Sequence, residues 1–204
     1  MEIAATLRAQ EPAVVVVSRM HFEERLSPTV RDALWSAWVP VNLFAYPYQR
    51  DMFLFLPVDK GAELLSAPTA VFDHGVRLQD VAAFSLPGAD ALLVRLRWRA
   101  PDPLAASYTI FAHLLDRSGQ LVAQKDSIPV AGWRPTTSWG AGEIITDWRW
   151  IPLERAIDPQ TMQLSIGLYD SMDGSRLALA HPDGVSGGDQ FVTSLNFVME
   201  PWNE

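Results

Sequence analysis

Apolar and polar positions follow two different rhythms along this chain, and the change falls close to residue 70. Before it, helix and strand patterns alternate. Ile3 and Leu7 lie one turn apart in Glu2 to Gln10, which predicts a helix closed by Pro12. Ala13 to Val17 is a continuous β-branched run, the pattern of a strand covered on both faces. Ser27-Pro28 supplies an N-cap and a proline for the first helical position. Val30, Leu34 and Trp38 then form an apolar stripe that Pro40 is expected to end. Val41 to Tyr46 and Met52 to Val58 read as two strands, and Asp59 to Pro68 as a connection. The order is that of a small α/β segment over residues 1–68, too short for a doubly wound domain.

From 69 to 204 the period is two. In Ala91 to Arg99, Leu92, Val94, Leu96 and Trp98 fall on one side, and Leu93, Arg95, Arg97 and Arg99 on the other. Tyr108 to Leu115, Gln120 to Lys125, Glu143 to Ile151, Met162 to Tyr169, Arg176 to Ala180 and Gln190 to Val198 continue the series. Asp116-Arg117-Ser118-Gly119 and Asp170 to Ser175 mark hairpin turns. Short strands with turn signals at near-regular spacing predict a mainly β fold, an immunoglobulin-like or jelly-roll-type antiparallel β-sandwich behind the α/β segment.

Composition narrows the chemistry. Of 204 residues, 49% are hydrophobic and 20% charged, enough to bury a core. The formal charge of −8 argues against nucleic acid as a partner and, more weakly, against an anionic membrane surface. With no cysteine, disulfides, zinc–thiolate sites and a Cys nucleophile are excluded. The N-terminus shows no signal-peptide pattern, and the longest aliphatic run is far too short for a membrane span.

Few residues carry chemistry in a recognisable pattern. The histidines, at 21, 74, 113 and 181, lack metal-site spacing, and His113 shows no orienting partner in the sequence. It reads as a structural histidine opposite the Ile110, Ala112 and Leu114 face. No nucleophile elbow, phosphate loop or dinucleotide fingerprint occurs. Asp170, Asp173 and Ser175 resemble a calcium loop only loosely and are read as turn residues. Asp116, Asp126, Glu143 and Asp147 are close in sequence, but most fall at strand ends or in turns, where carboxylates are normal surface residues. We therefore assign no catalytic residue, no metal and no cofactor. Tryptophans are the exception: Trp133, Trp139, Trp148 and Trp150 cluster near Arg134, Asp147 and Arg149. Indole faces flanked by polar groups suit carbohydrate, whereas the plainer reading places the rings in the core. Trp133 and Trp139, in a loop, are the better candidates for exposure. Arg95, Arg97 and Arg99 form a basic stripe, read as a solvated or ion-paired face that could dock a partner domain.

One block is familiar. Tyr108-Thr109-Ile110-Phe111-Ala112-His113-Leu114-Leu115-Asp116 is followed by Gly119-Gln120-Leu121-Val122-Ala123-Gln124-Lys125-Asp126. Pro135-Thr136-Thr137-Ser138-Trp139, Gly142-Glu143-Ile144-Ile145-Thr146-Asp147 and Ile166-Gly167-Leu168-Tyr169-Asp170 complete it. The series resembles the C-terminal, extracytoplasmic β-sandwich of bacterial membrane glycosyltransferases of family 39, the protein mannosyltransferase-like type. The segment around Glu11 to Val17 is similar to the α/β piece that follows their last membrane helix. The resemblance implies a non-catalytic accessory domain, because the family's catalytic acid and lipid-phosphate site lie in its membrane portion. It implies an extracytoplasmic location, periplasmic or cell-surface, tethered to the membrane, with the parent's membrane portion as partner. A glycan or acceptor would then be held by Trp133, Arg134, Trp139, Asp147, Trp148 and Trp150. The alternative is a purely structural or protein–protein interaction sandwich with no ligand. A stand-alone hydrolase is the weakest reading.

Overall fold

The computed structural model describes residues 15–18, 26–27, 29–30, 34, 38–44, 52–57, 70–85, 91–154, 157–180, 187–195 and 199–201. The expected helix over Glu2 to Gln10 lies outside them. The chain divides into two compact units, Met1–Gly61 and Ala62–Glu204, and each is taken by itself.

In the first unit, β1 (Val15–Ser18), β2 (Trp38–Phe44) and β3 (Met52–Pro57) form a three-stranded sheet with the order β1-β3-β2. Both pairings are antiparallel. The valine run thus supplies an edge strand of an antiparallel sheet. Val30 and Leu34 are helical and buried, as their spacing implies. Trp38 does not extend that stripe: it opens β2, and Pro40 lies inside the strand instead of ending a helix. A register shift between Pro40 and Asn42 and the edge position of β2 explain how the sheet accommodates a residue that cannot donate to the ladder.

The second unit is mainly β and forms a sandwich. One sheet joins β7 (Tyr108–Leu115), β8 (Leu121–Ser127), β10 (Gln163–Asp170) and β11 (Phe191–Ser194), ordered β11-β10-β7-β8 and antiparallel throughout. The other joins β5 (Arg77–Ser85), β6 (Ala91–Arg99), β9 (Ile144–Pro152) and β12 (Met199–Pro201), ordered β12-β5-β6-β9, with the short β4 (Ala70–Val71) also on β5. Its one departure from the antiparallel expectation is β12, which runs parallel to β5. Among the described residues of this unit, the only helical elements are short 3-10 turns.

Period-two patterning builds the core directly. Leu92, Val94, Leu96 and Trp98 of β6 face Ile110, Ala112 and Leu114 of β7 and Leu164, Ile166 and Leu168 of β10, and all are buried. Each large aliphatic side chain buried this way contributes about 1.5–3 kcal/mol over leaving it exposed. One expected strand and one unexpected strand depart from the sequence reading. Arg176 to Ala180 forms only isolated bridges, Tyr169 to Arg176 and Phe72 to Leu179. Strand β5 is not evident from the sequence, because a bulge between Leu78 and Asp80 interrupts its alternation and Ala82 and Ala83 have low strand propensity.

Candidate functional site

The candidate residues come from β9 and from the segment that precedes it. Cross-strand register sets their directions. Ile145, Asp147, Arg149 and Ile151 oppose Trp98, Leu96, Val94 and Leu92, so they share the inner face. Trp148 and Trp150 oppose Arg95 and Leu93 on the outer face.

Asp147 is therefore no surface carboxylate. It is 0% exposed and Arg149 is 1% exposed, inside the sandwich. Arg149 donates to Asp147 Oδ2 from Nε at 2.8 Å and from Nη2 at 2.5 Å. Its other hydrogens reach the Ile110 carbonyl at 3.2 Å, Ser127 Oγ at 2.6 Å and the Ser127 carbonyl at 3.1 Å, all on the facing sheet. Asp147 Oδ1 accepts the Val130 amide at 2.7 Å. Burial pushes the Asp147 carboxyl above its ordinary range, against the charge and hydrogen bonds of Arg149 and the Val130 amide. Both polar groups are satisfied, and the pair joins one sheet to the other.

The Val130 amide belongs to an unusual corner. Val130, Ala131 and Gly132 have φ of 56°, 52° and 94° in succession. A β-branched residue in the left-handed region is strained, typically by about 1–3 kcal/mol, and persists where its surroundings fix it. Asp147 fixes this one.

Beyond the corner the chain folds back on itself. Arg134 Nη2 donates to both oxygens of Glu143, at 2.7 and 2.6 Å, and the Gly140 amide donates to Glu143 Oε2 at 2.7 Å. Burial would raise the Glu143 carboxyl, but these hydrogen bonds and the guanidinium charge outweigh it and hold the group below its ordinary range. Trp139, one of the two loop candidates for exposure, is 1% exposed and donates from Nε1 to the Arg134 carbonyl at 3.0 Å. Trp133 is half-buried. Trp148 is buried under the Arg95 guanidinium, 5.7 Å from its ring, and Trp150 is half-buried. The fold thus gathers Arg134 and Trp139 in one loop. It sends Asp147 to the opposite face of β9 from Trp148 and Trp150, so the six residues present no common surface.

Sequence reasoning missed a second constellation. His113 does have a partner: its Nε2 lies 3.1 Å from Asp126 Oδ1. In register, Ser165 stands opposite His113, which sits diagonally from Asp126, so serine, histidine and aspartate occupy one row across β10, β7 and β8. A hydrolytic triad needs a serine hydroxyl that reaches the imidazole and an open approach to it. Ser165 is instead fully buried and its Oγ donates to Gln190 Oε1 at 2.8 Å. Phe111 packs beside the histidine at 4.8 Å, under the Arg176 guanidinium at 4.6 Å.

The calcium-like residues are engaged as turns: Asp170 Oδ1 accepts the Met172 amide and Asp173 Oδ1 the Ser175 amide, both at 2.8 Å. Among the described residues no group of three His, Asp or Glu is placed to hold a metal. Asp116 caps its own turn, accepting from Ser118 and Gln120.

No protein-family model matches the chain, and no curated protein matches it. Solved structures similar to part of it include a Bacteroides uniformis β-glucuronidase 2, 16% identical over 71% of this chain at a TM-score of 0.35. A β-glucuronidase of glycoside hydrolase family 2 is 8% identical over 75% of it, at 0.35. An Arabidopsis thaliana protein solved in solution is 9% identical over 67% of it, covering 83% of its own length, at 0.31. The chain spans 15% and 16% of the two glucuronidases. At TM-scores this low, no property of those proteins transfers to this one.

Proposed function

We propose that this chain is a non-catalytic accessory module of a membrane glycosyltransferase, lying outside the cytoplasm and acting through contacts rather than chemistry. The observation that carries the reading is the engagement of the potentially reactive side chains that the described residues bring into or beside the sandwich. Asp147 is bound to Arg149 and Val130, Glu143 to Arg134 and Gly140, Asp126 to His113, and Ser165 to Gln190. General acid–base work needs a pair of such groups converging on a shared opening, and each of these is turned to a structural partner. The resemblance over residues 108–170 supplies the parent, since it spans the strands β7 to β10.

Burial of Trp139 and Trp148 favours a module that contacts protein over one that stacks sugar rings on its tryptophans. Fractionating the source cells and probing with antibody to the purified chain tests the parentage. We expect the antigen in the membrane fraction, cleavable by protease added to spheroplasts. Recovery as a soluble cytoplasmic protein would overturn the proposal. A glycan array tests the second point: binding lost in Trp133→Ala or Trp150→Ala would restore the sugar reading.

A further inference from the structure

The outer face of the β5-β6-β9 sheet changes character along its length. At one end Leu93, Arg95 and Trp148 are buried, with Arg95 donating to Asp80 Oδ2 at 2.7 Å. At the other end lie Arg77, Arg97 and Arg99, all exposed, the Arg97 side chain by 46%. Arg77 stands directly opposite Arg99, and Arg99 opposite Ile144, which is 55% exposed. Arg97 Nη1 lies 4.0 Å from Asp80 Oδ2, an oxygen already held by Arg95 at 2.7 Å. Among the described residues, no carboxylate forms an ion pair with Arg77 or Arg99. Like charges directly opposite on neighbouring strands destabilise a sheet, so this pairing is unfavourable to the fold by itself.

We propose that Arg77, Arg97 and Arg99, with Ile144 beside them, form a docking surface for an extended acidic segment of a partner protein. Spacing and charge both favour this occupant. Arg97 and Arg99 are two residues apart on one strand, about 6.8 Å, which matches alternate side chains of an extended peptide. Guanidinium forks bind carboxylates bidentately, and Ile144 offers an apolar contact to the intervening residues. A charged bilayer suits the surface less well. It would act on the whole molecule, whose formal charge is −8, whereas a short segment meets only the local positive field.

The inference rests on the accessory-module reading only in supposing that the chain works by contact. It names a partner chemistry and not a parent. The test uses fluorescence anisotropy at low ionic strength. The probes are a labelled peptide of three Glu-Val repeats between glycines and a second peptide of equal composition with the glutamates in one block. The wild-type chain is expected to bind the alternating peptide more tightly than the blocked one. The double variant Arg77→Glu/Arg99→Glu should lose about tenfold or more in affinity. Arg97→Gln should weaken binding in the same direction, and Arg117→Glu, in the exposed β7–β8 turn, should leave it unchanged. Near-UV circular dichroism confirms that each variant is folded. Equal binding by wild type and the double variant, no binding by wild type, or binding to phosphatidylglycerol vesicles without peptide binding would each overturn the proposal. Peptide binding by a chain found in the cytoplasm would sink the glycosyltransferase parentage and leave this surface standing.

Discussion

Two acid–arginine pairs lie within sixteen residues of each other and differ in almost everything but composition. Arg134 and Glu143 meet in the loop before β9, with side chains 28% and 37% exposed. Asp147 and Arg149 meet inside the sandwich, shut off from solvent. The loop pair gains little, because water competes for both partners and screens their attraction, and exposed pairs are typically worth under about 1 kcal/mol. The inner pair has been desolvated entirely. It holds only because each remaining lone pair and proton finds a partner on the facing sheet or at the Val130 corner. The same chemistry is thus an accessory in one place and a structural bolt in the other, and burial makes the difference.

Breaking the inner pair should have the largest effect. Asp147→Ala leaves a buried guanidinium uncompensated and frees the strained corner, and is expected to lose about 3–5 kcal/mol in urea unfolding, against total stabilities of about 5–15 kcal/mol. Replacing both members, as in Asp147→Leu/Arg149→Met, should recover part of that loss, since no lone buried charge remains. Next comes Gly167→Ala. A Cβ there would collide with the Phe111 ring and lie 2.9 Å from the Asp189 carbonyl oxygen, so overpacking of about 1–3 kcal/mol is expected in thermal unfolding. Glu143→Gln, in the loop pair, should lose under about 1 kcal/mol.

The two pairs should also respond to pH, with opposite sign. Glu143 holds its proton less firmly folded than unfolded. Its contribution is full above the ordinary glutamate range and is lost as pH falls through the lower folded value. Asp147 holds its proton more firmly folded than unfolded. Ionising it therefore costs more in the folded chain than in the unfolded one. The pair is thus most stabilising below the ordinary aspartate range and loses part of that stabilisation as pH rises through the higher folded value, while its hydrogen bonds to Arg149 and Val130 remain. Unfolding free energies of Glu143→Gln and Asp147→Asn, each compared with wild type across acid pH, should diverge in opposite directions.

The contrast was partly legible in the sequence. Strands β6, β7 and β10 are plain from their alternation, because every second residue is apolar and, Ala112 apart, large. Asp147 and Arg149 are in phase with Ile145 and Ile151, which marks them as inward-facing, yet charged residues in a half-apolar strand read most naturally as surface groups. The fate of Trp139 was not legible. Its burial depends on a loop that closes through Arg134, Glu143 and Gly140, and loop closure leaves no periodic trace. Asp126 beside His113 was likewise hidden, because only the pairing of β7 with β8 brings them together. Pro40 misled as a helix terminator, since an edge strand with a register shift accommodates it equally well.

The central claim is that Asp147 and Arg149 act on each other and bind the two sheets together, not on a ligand. A double-mutant cycle on Asp147→Ala and Arg149→Ala, read by equilibrium urea unfolding beside the same cycle on Glu143 and Arg134, tests it directly. We expect a coupling of about 1–3 kcal/mol for the inner pair and under about 1 kcal/mol for the loop pair. Equal couplings, or an Asp147→Ala protein as stable as wild type, would contradict the account.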